Sequence, residues 1–266
     1  MAEIDSTPFV RAQRLDAATA LVRRPRDPDI PTMVAGCWAI LVVAELTGAS
    51  AALHHHALIA GGVPLMAALP VFLTGWLVMA MAMMLPASLR AIQLVEEAPS
   101  SVVSPRRARS AFLASFALVW TAFGLVAFLG DVGLHHVVDA TPWLAERPWL
   151  IEAGILALAG GYQLVPLKQR NLEACRHPVE SAVTASIGTM GRLDLRHGFA
   201  CLGSSWALML LMFAQGFASI GWMVALTSLM VYEATGRHGQ RVASAAGVTL
   251  LLAALAALSG VSVAGL

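Results

Sequence analysis

Residues 65–89 read LMAALPVFLTGWLVMAMAMMLPASL, 25 positions without an Asp, Glu, Lys or Arg. A helix needs about 20 apolar residues to cross a bilayer, and this run exceeds that length. It is apolar at consecutive positions rather than at every second one, the mark of a membrane-barrel strand. Lipid satisfies no backbone hydrogen bond, so only helices or closed barrels can span it. The run decides for helices.

The whole chain follows it. Apolar residues make up 58 % of the 266, charged residues 12 %, and mean hydropathy is +0.73. A soluble chain carries about a quarter charged residues, so this one cannot cover a water-facing surface in the usual way. A soluble enzyme, a nucleic-acid binder and a disordered chain are excluded as classes. Apolar segments at about 32–53, 65–89, 109–131, 149–167, 197–217, 219–234 and 242–264 predict an all-α, polytopic transmembrane bundle. It has about seven spans, or six if the short sixth segment does not cross. Residues 1–30 form a polar arm and residues 31–266 a single membrane domain. The three cysteines, Cys37, Cys175 and Cys201, make no disulfide framework.

The net charge of +1 conceals a sorting. Five arginines lie in the arm, and eleven Lys or Arg lie in the 90–109, 168–196 and 237–241 connections. Only Arg147 lies on the other side. By the positive-inside rule the N terminus is cytoplasmic, and the expected location is a bacterial cytoplasmic (inner) membrane.

Histidine sorts the opposite way. His54, His55, His56, His135 and His136 fall at the non-cytoplasmic ends. Asp131, His135 and Asp139 share a face if the third helix continues, and Glu152 begins the fourth. Imidazole and carboxylate together suit copper, zinc or iron. His55, His56, Asp131, His135, His136 and Glu152 are therefore the candidate ligands of a site near the outer surface. The bland alternative is a set of headgroup-level polar residues. Glu45, read near the middle of the first helix, is a candidate proton relay or buried acid.

A second, sulfur-rich candidate lies elsewhere. The run 79–86 carries Met79, Met81, Met83 and Met84, with Met79 and Met83 on one face. His197, Cys201, Ser204 or Ser205, Leu208 and Met212 form a stripe on the fifth helix. Thioether, thiol and imidazole favour Cu(I), which makes Met79, Met83, His197 and Cys201 weaker metal candidates. Methionine is equally an ordinary filler of helix packing.

At these residues the chain resembles a bacterial family of predicted metal-binding integral membrane proteins. Trp76 followed by Met79–Pro86 resembles its AMMLP element. Gly161-Tyr162-Gln163 to Pro166-Leu167-Lys168 resembles its YQ-x-x-PLK element. Cys175-Arg176-His177-Pro178 and Arg196-His197-Gly198 to Met209 resemble its C-R-x-P and G-C-C-W-A-L-M elements. The resemblance implies metal binding. Ser204-Ser205 stand where the family pattern has paired cysteines, and Asn171 where it has a further one. Asp131-x3-His135 also resembles the Asp-x3-His element of membrane-bound copper monooxygenase subunits.

Three functions stay open at this level. One is a membrane protein that binds copper and stores, delivers or moves it. Another is a metal-dependent oxidase or monooxygenase, or a subunit of one. The third is a structural or assembly subunit without metal. The expected partners are the lipid bilayer and other membrane subunits or further copies of the chain, not nucleic acid.

Overall fold

The computed structural model describes residues 29–49, 65–97, 104–176, 187–215 and 220–259. The chain divides into two compact units, 1–33 and 34–266. Among the described residues every element is a helix: α1 Asp29–Leu46, α2 Leu65–Glu97, α3 Pro105–Asp139, α4 Pro142–Ala145, α5 Pro148–Leu164, α6 Pro166–Arg176, α7 Ile187–Gln215, α8 Ile220–Thr235 and α9 Gly239–Leu258. The all-α class follows from the sequence as read.

Among the described residues, four helices, α1, α2, α3 and α9, are long and apolar enough to cross a membrane, or five if the bent pair α5–α6 counts as one span. The sixth apolar segment is the 16-residue α8. The fourth stops early because Pro166 forces Val165 into an extended conformation (φ −74°, ψ 137°). The chain bends by 65° there. Glu45 also moves: it lies in the last turn of α1 rather than mid-helix. Gly48 at φ 72° ends that helix, its N–H bonding the Glu45 carbonyl.

Proline shapes α2 differently. Pro86 sits inside the helix and offers no N–H to the carbonyl of Ala82, four residues earlier. The Trp38 indole N–H donates to that carbonyl at 3.1 Å instead, tying α1 to α2. Farther along, the Trp76 indole donates to the Trp120 carbonyl at 2.8 Å, binding α2 to α3.

Helices α5 and α9 approach at glycine. A Cβ on Gly247 would fall 2.8 Å from Gln163 Cβ and 2.9 Å from the Gly160 carbonyl oxygen. Gly247→Ala is therefore expected to cost about 1–3 kcal/mol through overpacking, read as a lower midpoint of thermal unfolding in detergent. Gly221→Ala, with nothing within 4 Å of its Cβ, is the tolerated control. Equal midpoints in the two variants would refute the close packing.

Candidate metal centre

The bend at Val165 builds one wall of the site. It carries Gln163 on α5 and Lys168 on α6 to the same carboxylate, Glu233 of α8. Lys168 Nζ donates to Glu233 Oε2 at 2.6 Å and Gln163 Nε2 to Oε1 at 2.9 Å. Lys168 and Glu233 are 1 % and 2 % exposed, a fully buried ion pair. At the far end of α6, the Arg176 guanidinium donates to the carbonyls of Ala234 and Gly236, and Gln240 donates to Glu173. Helix α6 is thereby clasped against α8 and α9.

That clasp brings Cys175, in the last turn of α6, against Cys201 of α7. Both cysteines are buried and free, and their thiols lie close to each other. A cavity of about 10 Å³ opens beside them, at the threshold of room for one water. Helix α2 lines it with Met84 and Ala87, α6 with Leu172 and Cys175, and α7 with Cys201, Ser204 and Ser205. Helix α8 adds Met230, Glu233 and Ala234. Two thiols and two thioethers thus border one small space, a donor set suited to Cu(I).

The two serines offer less than their position suggests. Ser204 Oγ and Ser205 Oγ each donate to the Cys201 carbonyl, at 2.8 and 2.7 Å. Behind Cys201 stands the Ser88 hydroxyl, while the Trp120 indole N–H is enclosed without a hydrogen-bond partner. Ser88 Oγ also shares a hydrogen bond of 3.2 Å with His197 Nε2, and the His197 ring packs on Phe112 with centroids 5.3 Å apart. On the other flank, the Tyr162 hydroxyl donates to the Gly203 carbonyl.

Of the sulfur-side candidates, Cys201 lines the cavity. His197 stands one hydroxyl behind it. Met79 and Met83 are fully buried but are not in the cavity wall. Sequence reasoning missed Cys175 as a pocket residue, together with Met84 and Met230. The C-R-x-P element that contains Cys175 was the signal available for it.

The outer candidates are arranged differently. Helix α3 does continue through Asp131, His135 and Asp139. His135 Nδ1 lies 2.9 Å from the Asp131 carbonyl oxygen and 3.4 Å from its Oδ2. His136 is exposed, and Glu152 is half-buried with Oε1 enclosed and unpartnered. His55 and His56 lie outside the described residues. Among the described residues, no three of His, Cys, Asp and Glu gather as a metal site.

A strongly apolar chain, helical throughout its described elements, with a cavity bordered by thiols and thioethers, defines a class: helical proteins with a soft-donor pocket. A family model described as PpoB2, copper chaperone, matches residues 73–257, and the chain belongs to that family. The match includes all four sequence elements quoted above and every residue of the cavity wall. No curated protein and no solved structure matches the chain.

Proposed function

We propose that this chain is a membrane-embedded copper handler that carries Cu(I) as cargo in the pocket between α2, α6, α7 and α8. Cys175 and Cys201 supply thiolates, and Met84 and Met230 supply thioethers. The observation that carries the reading is the pairing of two buried free thiols beside a cavity bordered by two buried thioethers. The family's description agrees with it. The donors are soft, and the only carboxylate in the wall among the described residues is already held by Lys168, which disfavours zinc or iron relative to Cu(I). The apolar helices and the basic connections support a multi-pass protein of a bacterial cytoplasmic membrane, with the N terminus inside.

The paired Asp131 and His135, with the enclosed Glu152 oxygen, support a second reading: a hard-donor metal site near the outer surface. His135→Ala would then reduce the copper or zinc retained by the purified protein, whereas unchanged retention would dismiss that site.

The pocket is tested on anaerobically purified full-length protein titrated with Cu(I) against a competing chelator. Cys175→Ser and Cys201→Ser are each expected to weaken the tight site at least tenfold, about 1.4 kcal/mol. X-ray absorption of the loaded protein is expected to show a sulfur shell. Unchanged affinity in both variants would overturn the reading.

A further inference from the structure

The pocket is one level in a longer register. Helices α7 and α8 flank the connection 216–219, and residues at equal distance from its middle fall opposite one another if the helices run antiparallel. Cys201 mirrors Ala234, and Ser205 mirrors Met230, and all four line the cavity. Two turns farther from the cavity the same register pairs Met212 with Met223.

Each of these methionines continues the stripe that faces the cavity. Met212 lies seven residues beyond Ser205, and Met223 seven before Met230. A seven-residue step returns to within about 20° of the same helix face and advances about 10 Å. Both are enclosed: Met212 is 1 % exposed and Met223 0 %. Met223, Leu226, Met230 and Glu233 are the buried residues of α8, so Met223 sits on the face that also carries the pocket residues.

We propose that Met212 and Met223 form a second Cu(I) station, a bis-thioether site about 10 Å from the thiol pocket along α7 and α8. It rests on the copper reading of the pocket only for the identity of the ion. Thioethers are soft and neutral. Binding there displaces no proton, and the ion keeps its single positive charge, so the station holds copper more weakly than the thiolates do. Its affinity is flat with pH, while the thiol pocket's is not. Together the two form a path along the helix pair by which the ion enters or leaves the pocket.

The test uses the full-length protein in detergent, titrated anaerobically with Cu(I). The unaltered chain is expected to take up two ions, one tight and one weak. Cys175→Ser/Cys201→Ser is expected to retain only the weak one, with an all-sulfur X-ray absorption shell and the same affinity at pH 6 and pH 8. Met212→Leu/Met223→Leu is expected to retain only the tight one. Met→Leu nearly conserves volume, and Met223→Leu alone is the milder variant should the pair fail to fold. The proposal is overturned if the double-serine protein holds no Cu(I), a result that leaves the pocket reading intact. It is equally overturned if the methionine variants still take up two ions. Two ions in the double-serine protein, falling to one when Met212 and Met223 are also replaced, would uphold the station and remove the pocket instead.

Discussion

Lys168→Met is expected to destabilise the protein by about 3–5 kcal/mol, the usual consequence of leaving one charge of a buried pair without its partner. Both side chains of this pair are nearly inaccessible, and the 2.6 Å contact is supported on the other carboxylate oxygen by Gln163 alone. Removing the ammonium leaves Glu233 in an apolar interior with one neutral amide donor. The companion Lys168→Met/Glu233→Met replaces both partners with apolar side chains and is expected to recover most of the loss. The measurement is reversible unfolding of the parent, the single variant and the double variant in one detergent. A single variant within about 1 kcal/mol of the parent would show that the pair behaves like a surface bridge. Because Glu233 also lines the cavity, the single variant is further expected to weaken Cu(I) binding about 10- to 100-fold, as loss of an outer-shell partner commonly does.

The affinity of the pocket for Cu(I) is expected to fall steeply with acid. Thiolate, not thiol, is the ligand, and the ordinary cysteine pKa is about 8.5. Wherever both thiols are protonated, two protons leave as one Cu(I) arrives, so affinity drops about 100-fold for each pH unit in that acidic range. The sign is fixed: lower pH favours the empty protein. Cys175→Ser removes one of the two displaced protons and should halve the slope to about tenfold per unit. Competition titrations between pH 6 and 8 measure both slopes. A flat profile in the unaltered protein would mean that the tight ligands are not these thiols.

The helical class was legible because it rests on local facts, such as the uncharged run at 65–89. The extent of each helix was less so. Val165 looked like the interior of an apolar segment, yet the proline after it sets its conformation and turns the chain. That one bend explains why the pocket could not be assembled from the sequence. Cys175 follows Lys168 and Arg170 in a basic stretch and reads as part of a connection. Only when α6 folds back along α8, held there by Arg176, does its last turn meet Cys201. Met84 stood within the quoted methionine run, but nothing in helical periodicity distinguishes it from Met79 or Met83, because the distinction depends on which neighbour packs against which face. Met230 lies on a different helix, and its proximity to the thiols is purely tertiary. On the outer side the sequence foresaw the i, i+4 geometry of Asp131 and His135 once α3 is continuous, a property of one helix alone.

The serine hydroxyls at 204 and 205 turn back onto the carbonyl of Cys201, and this has a kinetic consequence. A ring of four sulfur anions would hold its ion for a long residence time and surrender it only to a still stronger acceptor. With two of those positions occupied by groups committed to the backbone, the departing ion breaks two thiolate bonds and two weaker thioether bonds. On the copper reading proposed above, faster dissociation would suit hand-over better than storage, and Ser205→Cys is expected to lengthen the dwell of the cargo.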